Sequence, residues 1–267
     1  MHVHFLDPYR AGTSPVHALD PRVKLVLALA FILTTSLTPV GAWPIYVLLL
    51  AIVLSVEILS ELGVGKVLKR SSLALPFVLA ALPLAFSTGT QRLFAIPLGF
   101  GELAVYAEGL ERFASIAVRS WISVQVAIVL ASTTPFPDLM LAMRAIRVPR
   151  LLVSIFGLMW RYIFVMADEA QRLMRARESR SAVGAIPGLK AGGGIGWRAR
   201  VTGGMAGNLF VRSLERGDRI YSAMSARGYD GEVRTLGLPR VSPGEWALLC
   251  GGIILLLGLL WLSFLLS

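Results

Sequence analysis

Apolar residues gathered into long runs constrain this chain more than any other feature. Val23–Leu37, Ile45–Leu59, Leu73–Ser87 and Ala114–Ser132 fill the N-terminal half, and Trp246–Leu266 closes the sequence. Such runs are too long and too apolar for the surface of a water-soluble fold. A helix needs about 20 residues to cross the ~30 Å hydrocarbon core of a bilayer, and tilt or a few flanking positions complete the shorter runs. Composition agrees: 55% of the 267 residues are hydrophobic and 16% are charged, with a mean hydropathy of +0.70. A spanning segment must satisfy its own backbone hydrogen bonds. The expected fold class is therefore all-α, an integral membrane helical bundle of about five spans with a cytoplasmic region of long amphipathic helices. Polar residues fill much of the first 22 positions and no small-residue cleavage site follows, so no cleaved leader is expected. The single Cys250 lies in the last run, where a packed, lipid-shielded thiol is the ordinary reading.

Charge supplies the orientation. Residues 134–245 hold 17 of the 26 Lys and Arg but nine of the 16 acids. Arg10, Arg22 and Lys24 precede or open the first run, and Lys66, Lys69 and Arg70 follow the second. The loop between the third and fourth runs carries Arg92 and Arg112 against Glu102, Glu108 and Glu111. Basic loops stay inside, which puts the N-terminus, the 61–72 loop and the 134–245 region in the cytoplasm. The stretch Leu151–Met166 is apolar enough to span. If it crossed, the arginine-rich segment after it would lie outside, and the Gly- and Arg-rich sequence before Trp246 could not bring the chain back. It is read as an interfacial or bundle-buried helix that does not cross. The expected organisation is a four-span bundle over 1–133, a cytoplasmic or interfacial region over 134–245, and a last span over 246–267.

Two amphipathic arms follow from the basic segment. Phe156, Trp160, Ile163, Ala167, Ala170 and Met174 recur at helical spacing. Phe210, Leu214, Gly217, Tyr221 and Met224 repeat the pattern, beside a ridge of Arg212, Arg216 and Arg219. Residues 184–207 between the arms hold nine glycines and Pro187, so a flexible or broken connector is expected there. Each arm closes on an arginine between small residues, Ser179-Arg180-Ser181 and Ala226-Arg227-Gly228. Gly228 reads as the stop after the second arm. A guanidinium remains charged at any physiological pH and only donates, a poor catalyst but a good docking group. Two uses remain open on these residues: contact with lipid headgroups, and bidentate docking into a partner whose backbone approaches the small neighbours.

The run from Asn208-Leu209-Phe210-Val211-Arg212 through Ala223-Met224-Ser225-Ala226-Arg227-Gly228-Tyr229-Asp230-Gly231 resembles the T component of energy-coupling factor importers, and most of all the cobalt-type CbiQ branch. Leu19-Asp20-Pro21-Arg22-Val23-Lys24-Leu25 is similar to that family's approach to its first span. The resemblance implies a non-enzymatic coupling subunit. Its partners would be two cytoplasmic ATPase subunits, a membrane substrate-binding subunit, in some systems a small accessory membrane subunit, and the lipid bilayer of the bacterial or archaeal cell membrane in which the chain sits. It implies that Arg180 and Arg227, with Ser179, Ser181, Ala226 and Gly228, dock the ATPases, and that the Phe210–Met224 seam transmits their motion. Ser181 departs from the glycine common in the family at that place. Cobalt is the implied substrate, with nickel or a vitamin as alternatives.

Other signals lead elsewhere and are set aside. Met1-His2-Val3-His4 could form a weak metal site, but a chain terminus is more often unstructured, and no metal ligand or cofactor is assigned. Gly192-Gly193-Gly194-Ile195-Gly196 lacks the Lys-Ser/Thr of a phosphate loop, so no nucleotide is expected on this chain, and no nucleic acid. Glu57 and Arg119, inside runs, are read as structural despite the attention intramembrane charges deserve. Two further functions stand beside the coupling subunit. One is the permease of a conventional ATP-driven importer, whose Glu-Ala-Ala…Gly pattern is only begun by Glu169-Ala170. The other is an enzyme acting on phosphorylated lipid, for which Asp168, Glu169, Glu178, Glu215 and Asp218 form no catalytic pair.

Overall fold

The computed structural model describes residues 8–87, 92–98, 101–180, 194–231 and 240–266. The chain forms two compact units, one of residues 8–146 with 237–267 and one centred on residues 147–236. Helices dominate both, with one two-stranded hairpin in the first.

The first unit is the apolar bundle. After a short turn of helix, α1 (Pro15–Ala18), it comprises α2 (Pro21–Leu37), α3 (Trp43–Leu59) and α4 (Val64–Ser71), then α5 (Leu75–Leu79) and α6 (Leu84–Ser87). The hairpin of β1 (Arg92–Leu98) and β2 (Gly101–Tyr106) leads into α7 (Ala107–Thr133) and α8 (Phe136–Ala145), and α11 (Pro243–Leu265) completes the unit. The chain dictates where two of these helices start. Asp20 caps α2 by accepting from the Arg22 N–H at 2.8 Å, with Pro21 at the first helical position. Ser242 and Glu245 form a reciprocal capping box at α11, followed by Pro243.

Packing sets the direction of each helix. Lys24 Nζ donates to the Thr133 carbonyl at 3.2 Å, so α2 begins where α7 ends. The Asp20 N–H donates to Glu245 Oε1 at 2.8 Å, so α11 begins at that same end. Leu62 and Val67 pack with Val129 there, which adds the α3–α4 turn. At the opposite end, Arg119 Nε of α7 donates to Tyr46 Oη at 2.8 Å, its guanidinium lies 5.5 Å from the Tyr46 ring centre, and Tyr46 in turn donates to the Pro39 carbonyl at 2.6 Å. Arg119 thus pins the α2–α3 turn, where Gly41 adopts φ +85°. Phe31, Ile45, Leu49, Val53, Ile122 and Leu256 form the core between these ends. Buried Thr35, Thr38 and Thr133 return their hydroxyls to carbonyls four residues back, at 2.8 Å each. That removes the cost of a bare hydroxyl in an apolar interior.

Three expectations change here. Leu73–Ser87 is not one continuous helix: the chain rises beside α7 in pieces, with Val67 near Val129, Ser71 Oγ accepting from Trp121 Nε1 at 2.9 Å, and α6 reaching the hairpin. Pro76 and Pro83 explain the breaks, since each removes a backbone donor and clashes with the preceding turn. The expected loop between the third and fourth runs is the antiparallel hairpin, in register from Phe94–Val105 to Leu98–Gly101, and Glu108 and Glu111 already belong to α7. Cys250 is exposed on α11 rather than packed within the bundle. Glu57 and Gln125 are fully buried, and no side-chain polar atom of either has a hydrogen-bond partner among the described residues.

The second unit consists of α9 (Arg150–Arg180) and α10 (Ile195–Ala226). The α10 helix corrects the connector reading. Residues 195–207 are helical despite Gly196, Gly203, Gly204 and Gly207; each glycine weakens a helix by about 1 kcal/mol against alanine, too little to break one 32 residues long. Of the 184–207 stretch, residues 184–193 lie outside the described residues.

Candidate functional site

Both arms are single long helices, and each carries its arginine at the C-terminal end. Arg180 is the last residue of α9, and Ser179 Oγ donates to the Ala176 carbonyl at 3.0 Å one turn earlier. Ser181 lies outside the described residues, as do residues 1–4 with His2 and His4. Ala226 ends α10 and Arg227 is its C-cap. Gly228 follows with φ +79°. Its N–H donates to the Ser225 carbonyl and the Tyr229 N–H to the Met224 carbonyl, both at 3.0 Å. This pair of bonds is the Schellman stop. It satisfies the last carbonyls and turns the chain sharply, so Arg227 stands at a blunt tip in solvent.

The two helices run antiparallel. Arg212 Nη1 bonds Glu169 Oε1 at 2.8 Å, while Arg172 approaches the other carboxylate oxygen of Glu169 at 3.9 Å. Further along, Arg177 Nη1 donates to Thr202 Oγ1 at 3.5 Å. As α9 advances from 169 to 177, its partner on α10 recedes from 212 to 202. Arg180 therefore lies toward the start of α10 and Arg227 at its far end. From Thr202 to Arg227 the helix rises roughly 38 Å at 1.5 Å per residue. The two arginines lie far apart and do not form one composite site.

The seam residues fall on different faces. Phe210, Leu214 and Tyr221 are 63%, 54% and 65% exposed, and Gly217 is exposed with them, whereas Met224 is partly covered. The partly buried face of α10 is Val201, Met205, Leu209, Ser213, Arg216, Ile220 and Met224. Its steps of three and four are present in the sequence. Arg216, assigned to the basic ridge, is half-buried on this face. The Glu169–Arg212 pair, 43 residues apart, carried no local signal at all. Among the described residues no group of three or more His, Cys, Asp or Glu side chains could hold a metal ion.

Among the described residues three helices, α7, α9 and α11, are long and apolar enough to cross a membrane, and α3 is a shorter apolar helix. With the helical architecture, this defines the class: a multi-pass α-helical membrane protein. The cobalt transport protein family CbiQ matches residues 12–236. Relatives include a cobalt transport protein CbiQ of Rhodobacter capsulatus, 30% identical over 72% of this chain and 75% of that protein. The energy-coupling factor transporter transmembrane protein EcfT of Lacticaseibacillus paracasei is 29% identical over 96% of this chain and 97% of that protein. An uncharacterized protein of Methanocaldococcus jannaschii is 27% identical over 85% and 81%. The chain belongs to the CbiQ family of cobalt transport proteins, membrane components of transporters and not enzymes.

Proposed function

We propose that this chain is the transmembrane coupling subunit of an energy-coupling factor importer, passing ATP-driven motion of two cytoplasmic ATPases to a membrane substrate-binding subunit. One observation carries the reading. Two antiparallel helices end on arginines far apart, one at a glycine-stopped tip, in a chain of the CbiQ family. A separation of roughly 38 Å along α10 suits two ATPases better than one. In this account Arg180, between Ser179 and Ser181, and Arg227, between Ala226 and Gly228, enter polar or acidic grooves on the ATPases. The exposed Phe210, Leu214, Gly217 and Tyr221 face a partner, with Met224 at the end of the seam.

The bundle supports one orientation and one span number. The end that gathers the starts of α2 and α11 and the end of α7 also gathers Arg10, Arg22, Lys24, Lys66, Arg144 and Arg240. The positive-inside rule favours that end for the cytoplasm. Since α7 ends and α11 begins there, residues 134–242 must leave and return on one side. One crossing by α9 would need a second, and α10 is not apolar enough to make it. Five crossings remain: α2, α3, the broken 64–87 segment, α7 and α11. In this reading the N-terminal bundle covers 1–133, the region over 134–245 is cytoplasmic, and the last span begins at 246.

Cobalt is the substrate this reading favours, supported by the family and by the name of the Rhodobacter relative. Relatives named only as energy-coupling factor components keep nickel or a vitamin as the alternative cargo. The test is ATP-dependent uptake of radiolabelled cobalt by cells carrying the whole transporter, with wild-type chain or Arg227→Glu. Loss of uptake with normal membrane insertion supports the reading. Undiminished uptake overturns it.

A further inference from the structure

Two cavities meet at the end of the bundle where α2 and α11 begin. One, of about 420 Å³, lies between α2, α3, α7 and α11. Its wall is almost wholly hydrocarbon, with Leu27, Phe31, Val56, Val126, Leu255 and Leu256 among its residues. The other, of about 310 Å³, is lined by Lys24 and Arg240 and by Asp20, Asp138 and Glu245. The two share Leu19, Lys24 and Thr133, so an apolar chamber abuts a charged one.

We propose that these adjoining chambers hold one zwitterionic phospholipid, an acyl chain between the helices and an ammonium–phosphate headgroup among the charges. The apolar chamber offers water too few polar partners to stay, and left empty it would forfeit the contacts of every wall atom. In a bilayer the molecule at hand is a lipid chain. Depth agrees: the lining runs from Thr133 back to Val126 on α7 and from Leu248 to Leu256 on α11. At 1.5 Å per residue that is about 10–12 Å, most of one leaflet of a ~30 Å core. The charged chamber then falls at headgroup level.

Mixed charge selects the headgroup. Three carboxylates repel a lipid that brings only negative charge, while Lys24 and Arg240 repel one that brings only positive charge. An ammonium–phosphate pair satisfies both. Lys24 Nζ already donates to the His17 and Thr133 carbonyls, at 3.4 and 3.2 Å, and an ammonium has a third donor for a phosphate oxygen. Arg240 at the exposed rim offers a fork of the same geometry. Asp138 and Asp20 lie within electrostatic reach of Lys24, placing a carboxylate beside the headgroup's ammonium. Glu245 accepts from the Ser242 and Asp20 N–H groups, which fixes its carboxylate in the chamber.

The experiment is native mass spectrometry of the full-length chain, purified with its partner subunits and washed in detergent. It is then offered phosphatidylethanolamine and phosphatidylglycerol with identical acyl chains. One phosphatidylethanolamine per chain, in severalfold excess over phosphatidylglycerol, is expected. Leu256→Trp, which fills the apolar chamber, should abolish retention. To separate lipid loss from misfolding of that variant, Arg240→Gln and Asp138→Asn at the mouth serve as well, and each should reduce the preference severalfold with the protein still monodisperse. Equal retention of the two lipids, an unchanged preference in both mouth variants, or crosslinking of a partner helix into the chamber from Leu255→Cys would overturn the proposal.

Discussion

Gly228→Ala isolates the geometry of the α10 tip from its charge. Gly228 has φ +79°, and a Cβ added there meets nothing within 4 Å. The cost is therefore backbone strain alone, about 1–2 kcal/mol for an L-residue in the left-handed region. One to two kcal/mol lowers the capping equilibrium constant roughly 5–30-fold, and the population of the capped tip by at most that factor. The two bonds of the stop, Gly228 to Ser225 and Tyr229 to Met224, should open together. If Arg227 docks only from the capped tip, the affinity of the membrane-embedded chain for its ATPases should fall by the same factor. Gly228→Asn should lose less, since asparagine tolerates the left-handed region. Binding of labelled ATPase to vesicles carrying each variant measures the effect, and amide exchange at residues 228 and 229 reports the cap. Faster exchange with unchanged ATPase affinity would refute the reasoning, because docking would then not depend on the tip.

Other consequences follow from single contacts. Tyr46→Phe removes both the bond to the Pro39 carbonyl and the acceptor for Arg119, and should lower stability in detergent by about 1–3 kcal/mol; an unchanged melting temperature would show that the α2–α3 turn is held otherwise. Glu57→Met should leave stability equal or raise it by about 1–3 kcal/mol, because the buried carboxyl has no partner among the described residues. A clear loss of stability would point to a partner absent from this account. Charge reversal of Glu169 or Arg212 alone should weaken the α9–α10 pair, by no more than about 1 kcal/mol since Arg212 is half exposed. The double reversal, Glu169→Arg with Arg212→Glu, should restore it, as read by uptake and by a double-mutant cycle of melting temperatures.

What the sequence made legible was whatever has a short period. The α2, α3, α7 and α11 helices lie within a few residues of their apolar runs, apart from the longer start of α7, because uniform apolarity and the Asp20-Pro21 and Ser242-Pro243 caps mark them locally. The stop at Gly228 was readable for the same reason. Leu73–Ser87 misled because its composition is that of a span, while Pro76 and Pro83 decide its shape. The 195–207 segment misled in the other direction: its glycines lower helix propensity, yet the helix continues through them. Nothing local could have disclosed that Glu169 meets Arg212, that Arg119 meets Tyr46, or that the ends of α2, α7 and α11 converge. Those contacts join residues 43 to 225 positions apart, and only the packed chain brings them together. The convergence also strengthens the topology, which from charge alone rested on counting arginines.

The central claim is that two arginine tips hold two ATPases, and the most direct measurement is ATPase stoichiometry in the purified membrane complex. Wild type should carry two ATPase subunits per chain. The pair Arg180→Glu with Arg227→Glu should carry none while remaining inserted and bound to the substrate-binding subunit, and the corresponding pair of lysine substitutions should retain an intermediate amount. Two ATPases still bound to the doubly reversed chain would contradict the account.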